Sequence, residues 1–350
     1  MGSFRSLGQW FDLVPAGIGR QLSEIDIARG RQEAFRRQHP AALSGLKQAA
    51  LIQSVEASNA IENIVAPRRR IEALVARTVT PRDRSEAEIA GYRAALGTIH
   101  ASAEYMPFTE GVVRQLHRDL YQFTGRPGGA WKGVDNLVTE AGPDGSVAVR
   151  FTPVSAFLAS AAMEGLHEGF AVAWEADRYH RLVLAGAYVV DFLVIHPFTD
   201  GNGRMSRLLS LLLLNQGGYE VGSYVSLEKL VEESKETYYE ALGVSTEGWH
   251  DGTHDLWPWL SYFLGVVGAA YRLFEPRADA VTSGRGSKAE LVNAFVRGNV
   301  SDQFTFAEVR RAAPGVSDEY IRQVLRDLRD AGVIAVRGAG RGSTWHRRSD

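Results

Sequence analysis

Most of the chain carries apolar residues at helical spacing, and two shorter stretches break that spacing. Apolar positions three and four apart predict helices over 41–78, with a turn near Pro67, over 85–105, and from Thr109 to Phe123. Ser85-Glu86-Ala87-Glu88 reads as a capped start for the second of these. Thr109 caps the third, which Gly125 and Pro127 stop. Leu182 to Ile195 is an almost unbroken apolar run, as expected of a buried core helix. It should end at His196, because Pro197 disfavours helix in the residue before it. A further helix begins at Arg204 and continues through Leu208, Leu209 and Leu211 to Leu214; Glu236 to Leu242 forms another. Residues 1–40 show no clear pattern.

The first break falls at 130–153. Trp131-Lys132-Gly133-Val134 and Val147 to Phe151 flank the turn-rich Ala141 to Gly145, which predicts a β-hairpin. Arg277 to Ser287, small, polar and glycine-rich, reads as a linker. Beyond it, Lys288 to Arg297 predicts a helix, and Thr305 with Glu308 forms a capping box for a second. Ser317 caps a third helix, Asp318 to Ala331, which Gly332 stops. Val333 to Val336 and Ser343 to Trp345 then make the second break, a hairpin. Three helices and a hairpin resemble a winged helix-turn-helix domain. The expected division is an N-terminal helical region over 1–100, a core over 101–276, a linker over 277–287 and a winged helix-turn-helix domain over 288–350.

Composition narrows the class. A chain of 350 residues, 45% hydrophobic, is long enough for two or three domains with buried cores. It has no cysteine, which excludes disulfides and thiol chemistry. The net charge of −2 gives no overall pull toward nucleic acid or anionic lipid. Residues 285–350 differ, with twelve Lys and Arg against eight Asp and Glu, a balance of +4. Arg322, Arg326 and Arg329 share a face of the third helix there, but Asp318, Glu319, Asp327 and Asp330 lie on the same helix. DNA and a protein partner, including a second copy of the chain, both stay open for 288–350. The longest apolar run is too short to span a bilayer. No leader-like segment opens the chain, so a cytoplasmic location without membrane contact is expected. Trp249, Trp257 and Trp259 are expected in packing, and His250 and His254 at the surface rather than on a metal.

The candidate chemistry is concentrated in the loop between the two strongest helices, His196-Pro197-Phe198-Thr199-Asp200-Gly201-Asn202-Gly203-Arg204-Met205-Ser206-Arg207. An imidazole at a helix end is a proton acceptor suited to neutral pH. Asp200 is a hard oxygen ligand of the kind Mg²⁺ takes alongside substrate phosphates. Gly201-Asn202-Gly203 lets backbone N–H groups approach an anion, and the helix N-terminus that follows adds unpaired donors and positive potential. Arg204 and Arg207, three apart, supply guanidinium forks that grip phosphate oxygens. Arginine at a helix N-terminus is unfavourable unless an anion lies between them. The set points to a polyphosphate.

With every fixed position matched, this stretch resembles the signature of Fic-domain proteins, His-x-Phe-x-Asp/Glu-Gly-Asn-Gly-Arg-x-x-Arg. The resemblance implies a mainly α fold, a helical bundle with a β-hairpin flap, and transfer of AMP from ATP to a protein hydroxyl on Ser, Thr or Tyr. It makes His196 the general base and Asp200 the ligand of Mg²⁺, with Mn²⁺ as an alternative. It places the phosphates on Gly201, Asn202, Gly203, Arg204 and Arg207. Ser58-Asn59-Ala60-Ile61-Glu62-Asn63 is similar to the family's inhibitory motif, Ser/Thr-x-x-x-Glu-Gly/Asn. Ser58 and Glu62 would then act against the enzyme, with Glu62 pairing with Arg207 in the site of the ATP γ-phosphate. The hairpin near 131–151 would hold the target by strand addition, self-modification included. Tyr238 and Tyr239 would line the adenosine side. Two other readings stay open: a DNA-binding regulator whose core senses nucleotide, and an enzyme of this type that removes AMP or moves another phosphate-linked group.

Overall fold

A computed structural model describes residues 2–5, 7–38, 43–141, 147–282, 287–298, 303–338 and 344–347. In chain order the elements are α1 (Leu7–Phe11), α2 (Ala16–Gln38), α3 (Ser44–Ile61), α4 (Arg68–Val75), α5 (Arg84–Ser102), α6 (Glu110–Tyr121), β1 (Val138–Ala141), β2 (Val147–Phe151), α7 (Ala156–Glu175), α8 (Arg181–Ile195), α9 (Asn202–Gln216), α10 (Leu227–Glu233), α11 (Lys235–Thr246), α12 (Trp257–Thr282), α13 (Ser287–Gly298), β3 (Gln303–Thr305), α14 (Phe306–Ala312), α15 (Asp318–Asp330), β4 (Ile334–Arg337) and β5 (Thr344–Arg347). The fold is mainly helical, as expected. Among the described residues no helix is long and apolar enough to cross a membrane.

The backbone forms two compact units: Met1–Ala34 with Gly45–Phe274, and Phe35–Ser44 with Glu275–Asp350. The first is built around α8, buried at every residue from Leu182 to Ile195. Its one carboxylate, Asp191, accepts from Ser3 N and Ser3 Oγ, both at 2.8 Å, and from Trp249 Nε1 at 2.6 Å. Burial pushes that carboxyl up to about 6. Trp249 therefore does more than pack. His254 is not at the surface: it is buried, with Nε2 3.1 Å from Ser3 Oγ.

Helices α5 and α6 cross closely because position 91 is glycine, where a β-carbon would overlap the Leu120 carbonyl oxygen. That crossing brings Glu88 of α5 and Tyr121 of α6 under the start of α9. The cap of α5 is Asp83, whose Oδ1 accepts from Glu86 N at 2.9 Å, and not the expected Ser85. Thr109 caps α6 as its sequence implies.

The hairpin pairs β1 with β2 antiparallel, Thr139 opposite Val149. Its first strand lies at 138–141, not at 131–134. Lys132 N instead donates to Pro197 O at 2.7 Å, which ties that stretch to the signature loop. The turn expected over Ala141 to Gly145 falls, from 142 on, outside the described residues.

In the second unit, α13, α14 and α15 pack with a three-stranded antiparallel sheet of order β3-β5-β4. Val292, Val296, Phe304, Val309, Ile321 and Leu325 are among its core residues. The capping box is present, with Glu308 N donating to Thr305 Oγ1 at 3.3 Å and Thr305 N to Glu308 Oε2 at 2.7 Å. Strand β3 is an addition to the sequence reading, since a three-residue strand pairing across the unit leaves no local pattern. The stretch expected as a linker over 277–287 is helical to Thr282.

Candidate active site

Helix α8 ends at Ile195, and His196 follows as its cap in the left-handed conformation, φ 51° and ψ 58°. His196 Nδ1 lies 3.2 Å from the Leu193 carbonyl oxygen. A carbonyl only accepts, so Nδ1 carries the proton and Nε2 keeps its lone pair. Burial lowers the ring's pKa to about 4; the Leu193 hydrogen bond opposes this and Lys132 adds to it. The imidazole is thus neutral at neutral pH, with one nitrogen ready to accept a proton.

Hydrogen bonds that the loop did not advertise shape it. Asn202 is buried, its Oδ1 accepting from Phe198 N at 2.9 Å and its Nδ2 donating to Phe198 O at 2.7 Å. Its amide is spent on folding the loop back on itself. His117 of α6 stacks on Phe198, with ring centroids 3.7 Å apart and planes 3° apart. His117 Nδ1 accepts from Gly129 N at 2.8 Å, so its Nε2–H donates to the Asp200 carbonyl at 3.0 Å. Burial lowers the pKa of this ring also to about 4. Asn136 Nδ2 reaches Phe198 O at 3.2 Å, and Lys132 Nζ reaches Ile195 O at 3.3 Å.

Asp200 stands half-exposed at the loop's rim. Its Oδ1 accepts from Gly201 N at 2.7 Å, and its Oδ2 is 3.8 Å from Arg126 Nη1. Among the described residues no group of three or more His, Cys, Asp or Glu could hold a metal ion. A cation here would need the phosphate oxygens of a nucleotide as its other ligands, and one carboxylate plus phosphates is a usual Mg²⁺ environment.

Gly201 caps α9 with φ 81°, wedged against Tyr121 and Leu120. The two arginines that follow are not brought together. Arg204 is 2% exposed, with Nη1 2.7 Å from Glu88 Oε2 and Nη2 3.1 Å from Tyr121 OH. It lies beneath the loop, engaged by Glu88 and Tyr121. Arg207 points toward α3. Its Nε donates to Ser58 Oγ at 2.8 Å, and its Nη2 donates to Ser58 O at 2.9 Å and to Glu62 Oε1 at 2.8 Å. Burial works against its charge, but Glu62, with smaller contributions from Tyr238 and Tyr92, holds the guanidinium's pKa above the usual range.

Glu62 also presses on the backbone of the loop. A β-carbon at position 203 would overlap Glu62 Oε1, so the carboxylate rests against the first turn of α9. That is the helix end where unpaired N–H groups and the dipole favour an anion.

Tyr238 and Tyr239 of α11 diverge. Tyr238 is buried with Trp259 and Tyr262, ring centroids 5.6 and 5.8 Å away, beside a cavity of about 40 Å³ that Arg207 also lines. That space is lined almost wholly by apolar surface and is too small for a purine. Tyr239 is half-buried, with Arg150 of β2 4.3 Å from its ring centroid. Of the pair, only Tyr239 is partly open to solvent.

Residues 107–214 match the sequence model of the Fic/DOC family, and they contain α6, the hairpin, α7, α8 and the loop, with α9 as far as Leu214. The chain therefore contains a Fic/DOC-family domain. The protein adenylyltransferase Fic of Aedes aegypti is 38% identical over 74 residues, 21% of this chain and 14% of that protein. The similarity thus spans about a seventh of the curated relative's length. A Fic family protein from Desulfovibrio desulfuricans shares the fold with a TM-score of 0.64 at 21% identity, covering 97% of this chain and 98% of that one. A Fic domain containing signaling protein from Bacteroides thetaiotaomicron gives 0.61 at 19% identity, covering 77% of this chain and 97% of that one.

Proposed function

We propose that this protein transfers AMP from ATP to a hydroxyl of a protein target and rests in a self-inhibited state set by Glu62. The observation that carries the reading is the Glu62 carboxylate lying 2.8 Å from Arg207 and against Gly203 at the start of α9, an anion on the groups that suit a phosphate.

His196 Nε2 takes the proton of the target hydroxyl, whose oxygen attacks the α-phosphorus. The bond from that phosphorus to the oxygen bridging the α- and β-phosphates breaks, and diphosphate leaves. The N–H groups at the start of α9 hold the phosphates, and Arg207 holds the terminal one once Glu62 has left it. Asp200, half-exposed and lightly engaged, would hold Mg²⁺, which supplies charge neutralisation at the phosphates. Arg204, Asn202 and His117 keep the loop in shape. The hairpin β1–β2 presents the target by backbone pairing.

The test is transfer of label from α-labelled ATP with Mg²⁺. Weak self-labelling is expected for the wild type, strong labelling for Glu62→Gly, and none for Glu62→Gly combined with His196→Ala. A silent Glu62→Gly variant would overturn the transferase reading. Label lost from a pre-modified target would favour AMP removal instead.

For the second unit we propose a winged helix that docks a protein. Its helix α15 carries Arg322, Arg326 and Arg329 against Asp318, Glu319, Asp327 and Asp330, one negative charge in excess, which opposes a phosphate backbone. No retention of the full chain on duplex DNA at low salt is expected; salt-sensitive retention would reverse the assignment.

A further inference from the structure

Glu62 lies just past the last residue of α3, a poor place for a carboxylate. The last carbonyls of a helix lack intrahelical partners and carry the negative end of its dipole. The chain turns away through Asn63 at φ 59°, with Asn63 N donating to Ala60 O at 3.0 Å and Ile64 N to Asn59 O at 2.9 Å. The Ile61 carbonyl is met by a side chain instead: Lys235 Nζ, at the first position of α11, donates to it at 3.0 Å. The upstream part of α3 is held in another way. Ser54 Oγ donates to Glu228 Oε2 at 2.7 Å, and Tyr92 OH donates to Glu228 Oε1 at 2.9 Å, all of them buried. That part is fixed in the core, and so are Ser58, Asn59 and Ile61 of the last turn, while Glu62 just beyond it is a third exposed and follows the Ile61 carbonyl that the half-buried Lys235 holds.

We propose that Lys235 is a positioning residue for Glu62: it caps the final turn of α3, keeps the carboxylate on Arg207 and Gly203, and offsets the repulsion between that carboxylate and its own helix end. The proposal rests on the inhibitory reading of Glu62 and names the contact that sets its strength. Neutralising the lysine leaves the Ile61 carbonyl uncapped, loosens Glu62 just beyond it and gives nucleotide easier access to Arg207, without touching the groups that carry out transfer. Lys235 Nζ also lies 6.0 Å from the Tyr239 ring centroid, so an effect on nucleotide contacts must be separated from one through Glu62.

The experiment measures kcat and the KM for ATP of the full-length chain. Lys235→Met is expected to lower the KM about two- to five-fold with kcat unchanged, the factor a cation contributes at a helix C-terminus. Lys235→Arg should keep the wild-type values. Lys235→Met added to Glu62→Gly should match Glu62→Gly alone, which an effect through Tyr239 would not do. A thermal melt confirms the fold, and Lys235→Gln serves if the methionine variant fails it. A Lys235→Met KM equal to or above wild type, with Glu62→Gly active, would overturn the proposal and leave the inhibitory reading intact. If Glu62→Gly shows no gain, both fall.

Discussion

Arg204 and Arg207 lie within one turn of each other on α9, carry the same group and each pair with a glutamate, yet the two pairs sit in different surroundings. Beneath the loop, Arg204 and Glu88 are 2% and 4% exposed at their side chains; Arg204 also donates to Tyr121 OH, and Arg84 donates to the other Glu88 oxygen at 2.8 Å. At the loop's mouth, Arg207 is buried but its partner Glu62 is 33% exposed. A buried pair resists separation because each partner would be left as an uncompensated charge. Arg207 keeps its two bonds to Ser58 if Glu62 departs, and Glu62 can return to water. The same chemistry thus serves as a fixed joint in one place and as an exchangeable contact in the other. On the proposed reading, the second is the contact that a ligand's phosphate replaces.

The contrast can be broken by removing each glutamate in turn. Glu88→Ala has the larger expected effect. It strands Arg204 in the core and should cost about 3–5 kcal/mol in denaturant unfolding, with no gain in transfer. Glu62→Ala should cost about 1 kcal/mol or less, since its carboxylate is partly solvated, while transfer rises. Equal losses from the two would erase the distinction.

Local pattern carried much of this fold. The unbroken apolar run announced α8, Pro197 announced its end, and Thr305 with Glu308 announced α14, because each signal lies within a few residues of its effect. Long-range pairing left weaker traces. Arg204 and Arg207 were expected to share a face, but three residues of helix separate side chains by about 60°, enough to send one toward α5 and the other toward α3. Glu88 gave no sign of being a partner, and it looked like part of a helix start. Glu62 was legible only through a motif, since the contact with Arg207 joins positions 145 residues apart. His117 went unnoticed although its place was readable: Val113, Leu116, His117 and Leu120 fall on one apolar face of α6. Helices α2 and α7 were missed as well, α2 because charged and small residues blur its apolar stripe. Asn202 was expected to touch phosphate, but its amide is bonded to Phe198, a bond between neighbours in the loop that residue type alone does not reveal.

The central claim is that Glu62 and ATP compete for Arg207. Calorimetric titration of the wild type and Glu62→Gly with a non-hydrolysable ATP analogue and Mg²⁺ tests it most directly. Binding to the variant is expected to be about ten-fold or more tighter, the value of a hydrogen bond to a charged group. Equal affinities would contradict the claim.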